Sequence, residues 1–313
     1  MAAEDEPLKQ AHGDSKPSAP PAIAVIIPAY NEQDAVRATV EQVRRALDGG
    51  AVSHEIVVVN DGSSDDTMAE ARAGGARVID FRRNNGYGHA LKAGIAASDA
   101  ELIAILDADG TYPPEALPAM VRMAASCDMV VGDRGRGMNN VPLIRRPAKW
   151  LLGALASFLA RRRINDVNSG LRVFRRRAVV RFLPLLPDGY SFTTTITLCM
   201  LASGLTVVYH PIAYGRRIGH SKIKARHFFK FVFLVFRLTI LFRPLRIFLP
   251  LGAMLLAIGA LAAARAASLA DASPVAVVGV AGALVVWLLG LWAETLARAR
   301  LPREASGRYK AAP

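Results

Sequence analysis

Short apolar runs alternate with amphipathic stretches through most of the chain. Residues 22–28 (AIAVIIP), 55–59 (EIVVV), 76–81 and 101–106 are rich in branched apolar side chains and bounded by polar turns. Each predicts a buried strand. The intervening segments predict helices over 33–47, from Ser64 or Asp65 as cap through 73, and over 87–97. Strands and helices alternating at this spacing predict a parallel sheet wound by right-handed crossovers. Such sheets take ligands beyond the carboxyl ends of their strands. Three of those ends carry polar groups: Tyr30-Asn31-Glu32, Asn60-Asp61 and Asp107 with Asp109.

The pattern changes past residue 224. Residues 225–242 are apolar, with Arg226, Lys230 and Arg237 falling on one helical face, which predicts an interfacial amphipathic helix over 225–246. Residues 247–264 form an uncharged run of 18 and residues 272–293 one of 22. Each is long enough to cross a hydrocarbon core of about 30 Å. Their joining loop holds only Arg265 and Asp271, whereas Arg237, Arg243 and Arg246 precede the first span and Arg298, Arg300 and Arg303 follow the second. The positive-inside rule then predicts an integral protein of the cytoplasmic membrane, with the globular part (22–224), a tail (297–313) and both termini cytosolic. Trp287 and Trp292 read as an interfacial aromatic belt. Residues 1–21, rich in Ala, Pro, Ser and charge without an apolar core, read as a disordered tail and not a signal peptide.

Charge sharpens the picture. The net charge of +13 is concentrated: between Arg134 and Arg181 there are thirteen Lys or Arg against the single acid Asp166, and between Arg216 and Arg246 nine against none. Such density attracts phosphate. With no zinc-finger, RNP or helix-turn-helix signature, and with an apolar tail, lipid and phosphorylated ligands are favoured and nucleic acid is not expected. Cys127 and Cys199 sit in apolar contexts without metal spacing and read as reduced core thiols.

The candidate chemistry lies in LIAILDADGTYPP, residues 102–114. Two carboxylates one residue apart, Asp107 and Asp109, share a face where the backbone is extended. Such a pair can hold a hard divalent cation and leave positions for a substrate's phosphates. An acidic turn with no ligand is the competing reading. No G-x-x-x-x-G-K-[ST] loop and no G-x-G-x-x-G follows the first strand, which speaks against P-loop phosphoryl transfer and dinucleotide redox chemistry.

PAYNE (28–32), VNDGSSDDT (59–67), NNGYGHALKAG (84–94), DADGTYPP (107–114) and DVNSGLRVFRR (166–176) together resemble family 2 glycosyltransferases, in particular the dolichol-phosphate mannose and polyprenyl-phosphate glucose synthases. The resemblance spans residues 22–224. It implies a GT-A, mostly parallel α/β catalytic domain, a UDP- or GDP-linked sugar donor, Mg or Mn, and a polyprenyl (undecaprenyl or dolichyl) phosphate acceptor. Carried over by position, Pro28, Tyr30, Glu32, Val59 and Asp61 frame the nucleotide, Asp107 and Ala108 touch its ribose and diphosphate, and Asp109 is the principal metal ligand with Asp107 beside it. Arg134 faces a donor or acceptor phosphate, while Arg216 and Lys222 (RRIGHSK) close over the diphosphate. Asp166 either orients the acceptor or metal shell or pairs with Arg172 as scaffolding. Arg145 and Arg146, at the start of a helix predicted over 147–159, and Arg172 are candidate contacts of the lipid phosphate. Many relatives carry an acid after the GY[KS]F turn, whereas Gly189-Tyr190-Ser191-Phe192 here precedes Thr193-Thr194-Thr195. That departure points to an acceptor already ionised, such as a phosphate monoester. A processive polysaccharide synthase is disfavoured by the lack of a Q-x-x-R-W string, and a silent lipid-binding subunit by intact Asp107 and Asp109. A family 2 transferase working on another lipid or glycan acceptor is the remaining alternative. Exposed apolar spans also permit homo-oligomers.

Overall fold

The structure is a computed structural model that describes residues 22–135, 166, 168–215, 233, 236–268 and 274–300. It divides into two compact units, one of residues 1–149, 163–201 and 205–224, the other of residues 150–162, 202–204 and 225–313.

The first unit is built on seven strands: β1 (Ile23–Ala29), β2 (His54–Asp61), β3 (Arg77–Phe81), β4 (Leu102–Ile105), β5 (Met129–Asp133), β6 (Arg172–Arg175) and β7 (Val207–Pro211), in the order β3-β2-β1-β4-β6-β5-β7. β1 pairs in parallel with β2 and β4, β2 with β3, and β5 with β7; β6 runs antiparallel to β4 and β5. The sheet is therefore mixed but mostly parallel. Its order reverses between β1 and β4, where a doubly wound sheet opens a crevice.

Burial explains the layers. α1 (Val36–Gly49) buries Val36, Thr39, Val40, Val43 and Leu47, one face of a helix. That stripe joins Val25 and Ile27 of β1, Val58 of β2 and Met120 of α4 (Leu117–Ala124) in one apolar core. Each such side chain contributes about 1.5–3 kcal/mol when removed from water. α3 (Tyr87–Ala96) covers the other face, and Gly94 lets it approach closely: a Cβ there would collide with the Ile26 Cγ2 methyl and lie 3.2 Å from Val59 Cγ2. α2 (Thr67–Ala73) starts later than its predicted caps. Asp65 accepts from Thr67 N at 3.1 Å, two residues on, and no side chain caps the helix proper. α5 (Arg176–Val180) and α6 (Phe192–Ala202) follow β6.

The second unit is dominated by α7 (Leu245–Ser268) and α8 (Pro274–Arg300). Both are long and apolar enough to cross a membrane, with mean hydropathy of 2.3 and 2.4 over Leu245–Ala266 and Pro274–Ala297. Small residues set their contact. A Cβ on Gly279 would lie 2.6 Å from Gly259 Cα, and one on Gly290 2.6 Å from Phe248 Cβ, the close approach expected of helices that pack in lipid. Trp287 also ties the two helices together. Its indole N–H donates to the Leu249 carbonyl at 3.2 Å across the hairpin, whereas Trp292 is 64% exposed. Of the helix predicted over 225–246, residues 233 and 236–242 are described and helical, Arg243 and Pro244 interrupt it, and Leu245 and Arg246 already belong to α7; residues 225–232, 234, 235 and the 147–159 helix lie outside the described residues.

Candidate active site

Three strand ends converge on the β1/β4 crevice. Past β1, Asn31 adopts φ 55°, and the loop is stitched to the one past β2: Asn31 N donates to Ser63 Oγ at 2.9 Å, Ser64 N to Asn31 Oδ1 at 2.9 Å, and Glu32 N to Thr67 Oγ1 at 2.8 Å. This leaves Tyr30 exposed at the lip. Pro28 lies in β1 opposite Val59 of β2. Asp61 is 3% exposed, and its two carboxylate oxygens accept from Asn85 N and Gly86 N, both at 2.8 Å. It thus fixes the loop that opens α3, a role the sequence did not reveal. Val59 and Ala108 are buried as well, and the Ala108 carbonyl accepts from Thr39 Oγ1 at 3.0 Å.

β4 ends at Ile105, so Asp107 and Asp109 lie in a turn that Gly110 closes with φ 69°, and not on an extended strand. Asp107 Oδ1 accepts from the Tyr87 hydroxyl at 2.9 Å. Asp109 is buried, and its Oδ1 accepts from Thr111 N at 3.2 Å and Thr111 Oγ1 at 2.6 Å. Carboxylate oxygens suit a hard divalent cation. Among the described residues no group of three or more His, Cys, Asp or Glu assembles, so a cation held by Asp107 and Asp109 would need further ligands beyond this pair. Gly215 N donates to the Thr111 carbonyl at 2.8 Å, tying the segment after β7 to this turn.

A second cluster flanks the turn. Arg134, just past β5, grips Asp166 with both arms of its guanidinium, Nε to Oδ2 at 2.7 Å and Nη2 to Oδ1 at 2.9 Å. The same guanidinium lies 5.2 Å from the centre of the Tyr214 ring, which meets Tyr112 edge-on at 5.1 Å. Burial resists ionisation of Asp166, but the Arg134 hydrogen bonds outweigh it and hold the carboxyl below its usual range. Asp166 takes its hydrogen bonds from Arg134, and the Arg172 charge adds a smaller attraction.

Arg172 corrects the expectation of a phosphate contact. It is 0% exposed, its Nε donates to the Ser169 carbonyl at 2.8 Å and its Nη1 to Thr197 Oγ1 at 2.5 Å. A guanidinium sealed between the sheet and α6 presents no face to a lipid phosphate; Arg172 instead holds the Ser169 carbonyl. The Thr193–195 hydroxyls are inward as well: Thr194 Oγ1 donates to Asn168 Oδ1 at 2.5 Å and Thr195 Oγ1 to the Ser191 carbonyl at 2.7 Å. Arg145, Arg146, Arg216 and Lys222 lie outside the described residues.

Comparison with known proteins bears on the family and the fold. Residues 24–182 match Glycosyl transferase family 2, and residues 243–299 match the GtrB C-terminal hairpin. A dolichyl-phosphate hexose transferase of Haloferax volcanii is 34% identical over 203 residues, which cover 64% of this chain and 86% of that one. An undecaprenyl-phosphate 4-deoxy-4-formamido-L-arabinose transferase of Sodalis glossinidius is 29% identical over 187 residues, 55% of this chain but only 57% of the relative's length. Glucosyl-3-phosphoglycerate synthase of Mycobacterium tuberculosis with phosphoglyceric acid superposes with a TM-score of 0.56 at 22% identity, over 70% of this chain and 80% of that one. The same enzyme with Mn2+, uridine-diphosphate and glucosyl-3-phosphoglycerate gives 0.54 at 23%, over 70% and 79%. At that identity the likeness concerns the GT-A fold. With the family match spanning the strands that build the crevice and the hairpin match spanning α7 and α8, the chain belongs to glycosyl transferase family 2.

Proposed function

We propose that this enzyme transfers a hexose, glucose or mannose, from a UDP- or GDP-linked donor to polyprenyl phosphate, with inversion at the anomeric carbon. One observation carries the reading: a two-carboxylate turn at the switch point of the sheet, in a chain that continues into an apolar helical hairpin. In this reading Pro28, Tyr30, Glu32, Val59 and Asp61 shape the nucleotide cleft, by contact at its lip and by holding loops at its floor. Asp107 and Asp109 hold Mg or Mn, which supplies Lewis-acid neutralisation of the departing diphosphate. Arg216 and Lys222 add positive charge where negative charge develops, and Arg145 and Arg146 receive the lipid phosphate. Arg134, locked to Asp166, orients the wall between donor and acceptor.

A phosphate monoester has a second pKa of about 6 and attacks without a general base. The Thr193–195 run after the Tyr190 turn fits that chemistry, because it puts threonines where an acid could deprotonate a sugar hydroxyl, and Thr194 and Thr195 turn their hydroxyls inward. The hairpin would anchor the catalytic unit on the cytosolic side, as the flanking arginines favour, and its apolar faces leave room for a homo-oligomer. The test is transfer by the purified chain from a panel of UDP- and GDP-hexoses to undecaprenyl phosphate, undecaprenol or a soluble sugar. Label entering the lipid phase with the phosphorylated lipid alone is the expected outcome. Label on free polyprenol or sugar would refute the acceptor assignment.

A further inference from the structure

We infer that Tyr87 is a positioning residue for the carboxylate of Asp107, and that it links this carboxylate to the loop of residues 187–190. The inference rests on the reading of Asp107 as a metal ligand and extends it to residues that never touch the ion. Tyr87 opens α3, and its hydroxyl donates to Asp107 Oδ1 at 2.9 Å. From the other side, Gly170 lies against the same group: a Cβ there would stand 2.6 Å from Asp107 Oδ2 and 2.9 Å from Cγ. Tyr112 keeps Gly170 in place, its hydroxyl oxygen accepting from Gly170 N at 2.6 Å. One carboxylate is thus held between a donor and a wall that tolerates no side chain.

The ring of Tyr87 has a second task. It stacks on Tyr190 at 5.8 Å between centroids, and Tyr190 is 52% exposed. The loop carrying Tyr190 is clamped to the start of α3, where Gly88 N and His89 N donate to the Asp188 carbonyl at 2.7 and 3.1 Å and Lys92 pairs with the Asp188 carboxylate at 2.6 Å. A ring edge that bonds the ligand carboxylate and a ring face that holds this loop belong to one side chain. Groups that orient a metal ligand typically contribute 10- to 100-fold to metal affinity.

The test is Mn2+ binding to the full chain in detergent with UDP or GDP present and no acceptor, read by electron paramagnetic resonance of free Mn2+. Tyr87→Phe keeps the ring stack and removes only the hydroxyl; it should weaken Mn2+ binding about 10- to 100-fold in a protein that remains folded by circular dichroism. Gly170→Ala, which crowds the same carboxylate from the far side, should weaken it comparably. Tyr190→Ala, which removes the stack and spares the hydroxyl, should weaken Mn2+ binding by less than Tyr87→Phe. Wild-type affinity in a folded Tyr87→Phe protein would overturn the inference, and if that variant fails to fold, wild-type affinity in Gly170→Ala would do so. Absence of Mn2+ binding by the wild-type chain would instead overturn the metal reading on which it rests.

Discussion

Replacing Asp166 by asparagine isolates the charge at the centre of the flanking cluster. In the structure Asp166 accepts from Arg134 Nε at 2.7 Å and Nη2 at 2.9 Å, and from Asn168 N at 3.1 Å. The amide retains one acceptor oxygen and turns its NH2 toward a guanidinium donor, so a charge-assisted bond becomes a donor facing a donor. Hydrogen bonds to charged groups contribute about 1.5–3 kcal/mol each. The side chains are 28% exposed for Arg134 and 10% for Asp166, so water rescues part of the stranded cation and the net loss falls at about 2–3 kcal/mol. For a domain of this size that lowers the melting temperature by about 5–10 °C. Far-UV circular dichroism of the full chain in detergent reads it.

The pH dependence supplies a second signature. An unfolded aspartate titrates near pKa 3.9, and Arg134 holds the folded carboxyl lower. The stabilisation is therefore complete above about pH 4 and is lost as pH falls through the folded value. Wild type and Asp166→Asn should differ fully at neutral pH, begin to converge as pH falls below about 4 and meet only below the folded value. A shift under about 2 °C, or a gap that persists unchanged in acid, would refute the reasoning.

Gly94→Ala should destabilise the first unit by about 1–3 kcal/mol, because the added methyl would strike Ile26 and force α3 off the sheet; urea denaturation measures it. Cys127 and Cys199 are buried, and burial pushes their thiols up to about 11 and about 12. Both should resist iodoacetamide at pH 8 in the native chain and react once it is unfolded.

The strands and helices up to β4 were legible because each is local: a run of branched apolar residues or a stripe at helical spacing states its own conformation. The polar strand ends, and with them the crevice, followed from the same pattern. β6 was not legible. Arg172–Arg175 reads as a basic segment, and only pairing with β4 and β5, both distant in sequence, makes it the antiparallel strand between them. The error over Arg172 has the same origin. An arginine is rarely sealed completely, and its burial here depends on Thr197, 25 residues away. Likewise the hydrogen bonds of Asp166 go to Arg134 across 32 residues, while the arginine six positions on adds only its charge. Tyr87 and Tyr190 carried no signal beyond a family motif and a turn; their contact appears only when the 187–190 loop folds onto α3. The hairpin was legible as two spans, but the use of Trp287 to join them depended on the glycine register of the partner helix.

The most direct test of the account is sugar transfer to undecaprenyl phosphate by Asp109→Ala compared with wild type, each reconstituted in vesicles. Losing one of two carboxylates that hold the charge-neutralising ion costs several kcal/mol at the transition state, about 10³-fold or more in rate. The account predicts that transfer falls at least that far while membrane insertion is unchanged. Turnover retained by the variant on addition of Mn2+, at a rate within about tenfold of wild type, would contradict it.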